Sequence, residues 1–236
     1  AFMLTAKYGL YGYTKELRFM SKEVLSIFVK NLIPGTVKTR LAEDLGMDVA
    51  MEIYKELVGI TAEVTDVLKI NKYVYYSEYI ESHDQFDDAK YQKHIQEGKD
   101  LGQRMQNCFY DAFELDFDKI VLIGSDTPDI TDKIISQGFA ALDKHDVVIG
   151  PAQDGGFYLI GMKEPHENLL NKQAYGHDEV LNELLDEIKD RDLCVFKLPT
   201  LIDSDVKDDL KKAGIEIVFE DENDIDENNG VENNPI

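Results

Sequence analysis

The sequence predicts an α/β protein, a three-layer α/β/α domain on a mostly parallel mixed sheet. Three observations carry that expectation. Short β-branched apolar runs alternate with longer stretches of helical period. Most of these runs stop at loops built from Gly, Pro, Asp, Lys and Arg. One pair, Val147–Gly150 and Phe157–Gly161, is joined by Gly155-Gly156 and is expected to supply an antiparallel hairpin.

The first strand is the run Val24 to Val29. It stops at a Pro34-Gly35 turn, and the chain restarts as a helix within Thr36-Val-Lys-Thr-Arg-Leu41. From Met47 to Leu68, Ile53, Leu57, Ile60, Val64, Val67 and Leu68 recur at three and four, the pattern of a helix with one buried face. Lys72 to Ser77 is the second strand, and the polar stretch Glu81 to Gln96 is expected as loop or short helix. Gly98 opens a helix that runs to about Phe113. Lys119 to Gly124 is a strand, Ile130 to Leu142 a helix, and the hairpin follows. His177 to Ile188 is a helix on Val180, Leu181, Leu184, Leu185 and Ile188, and Leu193 to Leu198 a strand. Asp205 to Ala213 is a short helix, and Ile215 to Phe219 is placed at a sheet edge.

At 236 residues the chain holds one large α/β domain, expected over 21–219. Residues 1–20, with Tyr8, Tyr11 and Tyr13, read as an N-terminal extension, native or added, or as an accessory element. Glu220 to Ile236 carries seven carboxylates and no base, the composition of a solvated acidic tail. A formal charge of −22 excludes nucleic acid and anionic membranes as partners. An anionic nucleotide stays compatible with it, because a local Lys/Arg cluster and a divalent cation decide binding at a site. Cys108 and Cys194 are too few for a disulfide framework or a zinc site, so a cytoplasmic location is expected. No apolar run approaches the roughly 20 residues of a membrane span, and 1–19 has no secretion-type apolar core.

The chemistry-bearing residues collect where strands end, which is where open α/β sheets bind ligands. The first loop carries Gly35, Lys38, Thr39 and Arg40, a set of backbone donors and two cations suited to a di- or triphosphate. Salt bridges to Glu43 or Asp44 are the plainer role for those cations. The spacing is not that of a Walker loop. The strand 119–124 delivers Asp126 and Asp129 into a Pro-containing turn. A carboxylate in that position suits Mg²⁺ or Mn²⁺, while Asp129 also fits a helix cap before Ile130. Asp154 precedes Gly155 and Gly156, which would let a substrate approach the backbone; a turn-forming aspartate accounts for it equally well. His177 starts a helix, where a cap or surface role competes with that of a base.

The motifs Phe28-x-Lys30 with Pro34-Gly35-x-Val-Lys-Thr-Arg-Leu41, Asp100-Leu-Gly-x-Arg-Met105, Gly124-Ser-Asp-x-Pro-Asp129 and Gly150-Pro-Ala-x-Asp-Gly-Gly-Phe-Tyr-Leu-Ile-Gly161 are similar, in order, to a family of bacterial glycosyltransferases labelled after arsenosugar biosynthesis. That family belongs to the nucleotide-diphospho-sugar transferases of GT-A type, and the likeness spans about Val24 to Leu210. The resemblance implies a GT-A-like fold and a metal-dependent transfer of sugar from a nucleotide diphosphate to a small acceptor. It implies Asp126 as a ligand of Mg²⁺ or Mn²⁺, with Asp205 of the Asp203–Leu210 segment as a second carboxylate. Lys30, Gly35, Lys38, Thr39 and Arg40 are implied for phosphates, and Gln96, Gly98 and Arg104 for the base or ribose. Lys38 would then assist the leaving diphosphate and Asp154 would act as base. Asp129, Gly155, Gly156 and His177 fall on the sugar or acceptor side. The chain departs from the family at Thr127, at Tyr175-Gly176-His177 and in the late acidic segment, all on the acceptor side. A nucleotidyltransferase that releases pyrophosphate from a nucleoside triphosphate, or a nucleotide-binding protein without turnover, are the alternatives, and a homodimer is left open.

Overall fold

The computed structural model describes residues 22–171 and 174–202. Seven strands and five helices alternate through them: β1 Glu23–Val29, α1 Thr39–Leu45, α2 Met47–Asp66, β2 Asn71–Tyr76, β3 Gln92–Ile95, α3 Leu101–Glu114, β4 Lys119–Ile123, α4 Asp132–Ala141, β5 Val147–Pro151, β6 Phe157–Met162, α5 Val180–Asp190 and β7 Val195–Lys197. They form one sheet in the order β3-β2-β1-β4-β6-β5-β7. β1 runs parallel to both neighbours, with Ile27 opposite Val74 of β2 and Ile123 of β4. β6 is the reversed strand, antiparallel to β4 and β5, which bears out the hairpin and the mixed sheet.

The period of two along β1 explains the layers. Leu25, Ile27 and Val29 face a cluster that includes Tyr54, Val58 and Ala62 of α2 and Ile135 and Phe139 of α4. Val24 faces the opposite cluster, with Met105, Cys108, Phe109 and Ala112 of α3 and Leu184 and Ile188 of α5. Helices therefore cover both faces of the sheet, as parallel strands require. Leu41 of α1 packs on Ala50, Ile53 and Leu57 of α2 in a smaller cluster of its own.

Three expectations need correction. The stretch 81–96 holds a strand, β3, paired in parallel with β2 at the sheet edge. Its sequence, Gln-Lys-His-Ile, lacks an apolar run; tertiary contacts make it a strand. His94 stacks on Tyr75 with ring centroids 5.0 Å apart, and Lys93 reaches Asp84 at 2.9 Å and Asp88 at 2.7 Å. The third helix starts at Leu101, with Asp100 accepting the Gln103 N–H at 2.8 Å, and α5 starts at Val180 rather than His177. The cap of α4 is Thr131, whose hydroxyl accepts the Ile134 N–H at 3.2 Å, so Asp129 is not a helix cap. The expected extension 1–20, the helix 205–213, the strand 215–219, the acidic tail, Asp203 and Asp205 lie outside the described residues. Among the described residues no helix is long and apolar enough to cross a membrane.

Candidate nucleotide and transfer site

β1 sends its carboxyl end into one loop and pairs with β2 on one side and β4 on the other, so the β1/β4 boundary is a switch point of the sheet. A cleft of about 490 Å³ opens there. Phe28 of β1, Leu122, Ile123 and Gly124 of β4, and Leu101 and Met105 of α3 line it, with Arg40 from the first loop. Its other wall comes from Ala152 to Tyr158 and from Tyr175 to Val180. The lining combines aromatic faces with a few polar groups, the usual make-up of a small-molecule site. Phe157 and Tyr175 meet edge to face at 6.4 Å, and the Tyr175 hydroxyl is anchored on the Leu170 carbonyl at 2.9 Å.

The first loop is held from behind. The Lys30 N–H donates to the Tyr54 hydroxyl at 2.8 Å, while the exposed Lys30 side chain points away from the core. Buried Asn31 receives the Glu78 N–H at 2.9 Å and donates to the Tyr79 carbonyl at 2.9 Å, which ties this loop to the one after β2. Gly35 takes φ +80° in open space, so its role is the turn itself. Thr39 is the exposed first residue of α1 and Arg40 reaches the cleft. Lys38 heads α1 in the left-handed region, at φ 45° and ψ 44°. Its side chain is 1% exposed, and its Nζ lies 3.3 Å from Oδ2 of Asp126. The structure thus brings the two strongest sequence candidates together, with each other.

Asp126 follows β4, two residues beyond Gly124 of the cleft wall, and its side chain is 29% exposed. Its second oxygen accepts from Ser125 Oγ at 3.3 Å, and Ser125 Oγ shares a 3.0 Å hydrogen bond with the Tyr54 hydroxyl. Burial, then the Asp126 charge, push the Tyr54 phenol well above its ordinary pKa, so it stays protonated and available as a donor. Asp129 is exposed on the turn beyond.

Gln96, Gly98 and Arg104 also meet one another. The Gln96 amide donates to the Val29 and Tyr75 carbonyls at 3.2 and 3.0 Å, bracing the ends of β1 and β2. Arg104 donates to the Gly98 carbonyl at 3.3 Å and to Gln96 Oε1 at 3.4 Å. None of the three is among the residues that line the cleft; Leu101 and Met105 are what α3 contributes there.

Across the cleft, Asp154 is exposed, and its Oδ1 accepts the Gly156 N–H at 2.9 Å, so it both closes a turn and presents a carboxylate. Gly155, at φ +88°, packs on the Asp178 backbone and accepts the Leu181 N–H at 2.9 Å. Gly156 and His177 line the cleft, and His177 Nδ1 accepts the Glu179 N–H at 3.2 Å. Cys108 is buried, with its thiol pushed up to about 12, which makes it core and not a nucleophile.

The residues that sequence reasoning missed are Phe28, Phe157 and Tyr175 as cleft walls, and Tyr54 with Ser125 behind Asp126. Tyr54 was hidden in the apolar stripe of α2, whereas Ser125 stood within the Gly-Ser-Asp motif.

Residues 60–177 match a family described as "Uncharacterized protein conserved in bacteria (DUF2064)". A crystal structure from Desulfovibrio desulfuricans G20, described provisionally as a nucleotide-diphospho-sugar transferase, is 30% identical, with a TM-score of 0.72 over 79% of this chain and 84% of that one. The 4-diphosphocytidyl-2C-methyl-D-erythritol synthase of Anaerococcus prevotii DSM 20548 has a similar fold at 12% identity, with a TM-score of 0.50 over 81% of this chain and 95% of that one. No curated protein matches the sequence.

Proposed function

Because the chain belongs to the bacterial DUF2064 family, with a cleft at the switch point of its sheet, we propose that it is a nucleotide-utilising transferase that moves a sugar from a nucleotide-diphosphate donor to a small acceptor. The observation that carries the reading is the composition of that cleft: Arg40 from the first loop, aromatic faces from Phe28, Phe157 and Tyr175, and the Asp154 carboxylate on the other wall. The description of the Desulfovibrio protein supports the donor class.

Among the described residues no group of three or more His, Cys, Asp or Glu side chains is placed to hold an ion. One half-exposed carboxylate, Asp126, stands at the strand end. Mg²⁺ is commonly held by one or two carboxylates together with substrate phosphates, so Asp126 fits an ion that arrives with the nucleotide. Held by Asp126, Mg²⁺ or Mn²⁺ would supply charge neutralisation at the phosphates.

The chain's own residues account for the rest. Arg40 offers a forked donor to the departing diphosphate. The aromatic walls offer flat faces to a sugar ring and exclude water from it. Asp154, fixed through Oδ1 by Gly156, keeps Oδ2 to take the proton of an attacking acceptor hydroxyl.

The experiment is product analysis with Mn²⁺ and pooled nucleotide-sugars or pooled nucleoside triphosphates, in the presence of a small-metabolite extract. Nucleoside diphosphate from the sugars is expected. Asp154→Asn, which keeps the Oδ1 acceptor and hence the turn, should leave the melting temperature unchanged and lower the rate by about 10²-fold or more. Pyrophosphate released only from triphosphates would establish nucleotidyl transfer instead. Tight nucleotide binding with no turnover in either pool would make the protein a binder.

A further inference from the structure

We propose that Lys38 is not a phosphate ligand but a positioning residue, whose buried ammonium braces Asp126 and holds down the affinity of that carboxylate for a divalent cation until nucleotide phosphates are present. The inference rests on the reading of Asp126 as the carboxylate that meets a nucleotide-borne ion.

The geometry separates the two cations of the loop. Arg40 is exposed and lines the cleft, whereas the Lys38 side chain is 1% exposed with its Nζ 3.3 Å from Asp126 Oδ2. An ammonium is buried only with compensating partners, and Asp126, the more exposed member of this ion pair, is one of them. To touch a ligand in the cleft, Lys38 would have to give up the Asp126 ion pair. The backbone is committed to the same arrangement. Lys38 sits at φ 45° with no side-chain capping hydrogen bond to α1, a conformation that costs a non-glycine residue free energy and persists where the surroundings impose it. On its other side Asp126 is steadied by Ser125 and, through it, by Tyr54.

The consequence is electrostatic. A carboxylate paired with an ammonium presents little net charge to a free dication, which also meets the like charge of Lys38 close by. Phosphates placed beside Arg40 restore the negative charge, so cation and nucleotide bind as a coupled pair and neither binds well alone. Lys38 sets the strength of that coupling from behind the carboxylate.

Binding of Mn²⁺ alone, followed by electron paramagnetic resonance on the full chain, tests this directly. Lys38→Gln should bind free Mn²⁺ at least about tenfold more tightly than wild type. Lys38→Arg, which keeps a cation, should stay as weak as wild type, and Lys38→Gln combined with Asp126→Asn should lose the gain. Metal-free binding of a nucleoside diphosphate should fall in Arg40→Gln and stay unchanged in Lys38→Gln. A Lys38→Gln variant with unaltered Mn²⁺ affinity, or with metal-free nucleotide binding reduced as far as in Arg40→Gln, overturns the inference. Acetic anhydride labelling of the wild type needs no variant. Lys38 should resist labelling with and without nucleoside diphosphate, and a Lys38 that is labelled in the free protein and protected by nucleotide overturns the inference as well. Asp126→Asn tells the two failures apart. If it binds Mn²⁺ with nucleotide as wild type does, the reading of the site falls and this inference with it. If it loses that binding while Lys38 behaves as a phosphate ligand, only this inference falls.

Discussion

Replacing Gly155 by alanine separates a wall of the cleft from a point of substrate approach. A Cβ at Gly155 would lie 1.9 Å from the Asp178 carbonyl oxygen and 2.5 Å from its carbon. These are backbone atoms, so no rotamer change relieves the overlap. Holding a non-glycine residue near φ +88° costs about 1 kcal/mol or more. Separating the two segments also breaks the 2.9 Å hydrogen bond from the Leu181 N–H to the Gly155 carbonyl, worth about 1 kcal/mol. Overpacking adds roughly 1 to 3 kcal/mol. The total, about 3 to 5 kcal/mol, corresponds to a fall in Tm of roughly 6 to 20 °C for a domain of this size. Because Gly156, His177 and Asp178 line the cleft, the same shift should also weaken ligand binding. Thermal unfolding by circular dichroism or calorimetry reads the first effect without any knowledge of substrate. The sequence suggested instead that Gly155 makes room for substrate. That role predicts an unchanged Tm with a raised KM, and a Gly155→Ala protein melting within about 1 °C of wild type would refute the packing argument.

Two further outcomes follow from buried polar groups. Tyr54→Phe removes the hydroxyl that accepts the Lys30 N–H and bonds Ser125, and it should cost about 1 to 3 kcal/mol in urea unfolding with the fold retained. His94 is packed between Tyr73 and Tyr75 with its Nε2 buried and unbonded, and burial lowers its pKa. The unfolded chain therefore takes up this proton first, so stability is present in full above the unfolded value near 6.5 and declines as pH falls toward the depressed folded value, by at most about 1.4 kcal/mol per pH unit. His94→Phe should flatten the dependence of Tm on pH between about 7 and 5.5, and a variant with the wild-type slope there would refute the assignment.

The fold was legible because its main signals are local and redundant. Val24 to Val29 and Lys119 to Ile123 are apolar runs too short for helices, and α2 carries its buried stripe over 20 residues. The antiparallel strand was legible for a geometric reason, since the few residues between Gly150 and Phe157 cannot span a crossover. β3 was not, because nothing in Gln92-Lys-His-Ile95 is strand-like in isolation. Its pairing with β2 comes from the stacking of His94 and from the ion pairs of Lys93 with Asp84 and Asp88, partners that no local pattern marks. The boundaries of α3, α4 and α5 slipped by a few residues for a related reason. Capping depends on which oxygen meets which N–H, and Asp100 and Thr131 compete with neighbours of equal propensity.

The site was legible as a location and much less as a set of roles. Motif residues at the ends of β1 and β4 were found by the rule that ligands meet a parallel sheet there, yet the sequence does not say which of two cations, two residues apart, faces outward. The left-handed φ of Lys38 decides it, by turning that side chain inward to Asp126 while Arg40 reaches the cleft. Lysine and arginine suit that division. A slender chain ending in a compact ammonium can be buried beside one carboxylate oxygen, whereas a planar fork is better spent on a diphosphate. Gln96 shows the same limit from the opposite side. Beside glycines and an arginine it reads as a ligand contact, but its amide is committed to the carbonyls of Val29 and Tyr75. A polar residue near a strand end is equally suited to both tasks, and only the burial of its partners separates the residue that holds the site open from the one that fills it.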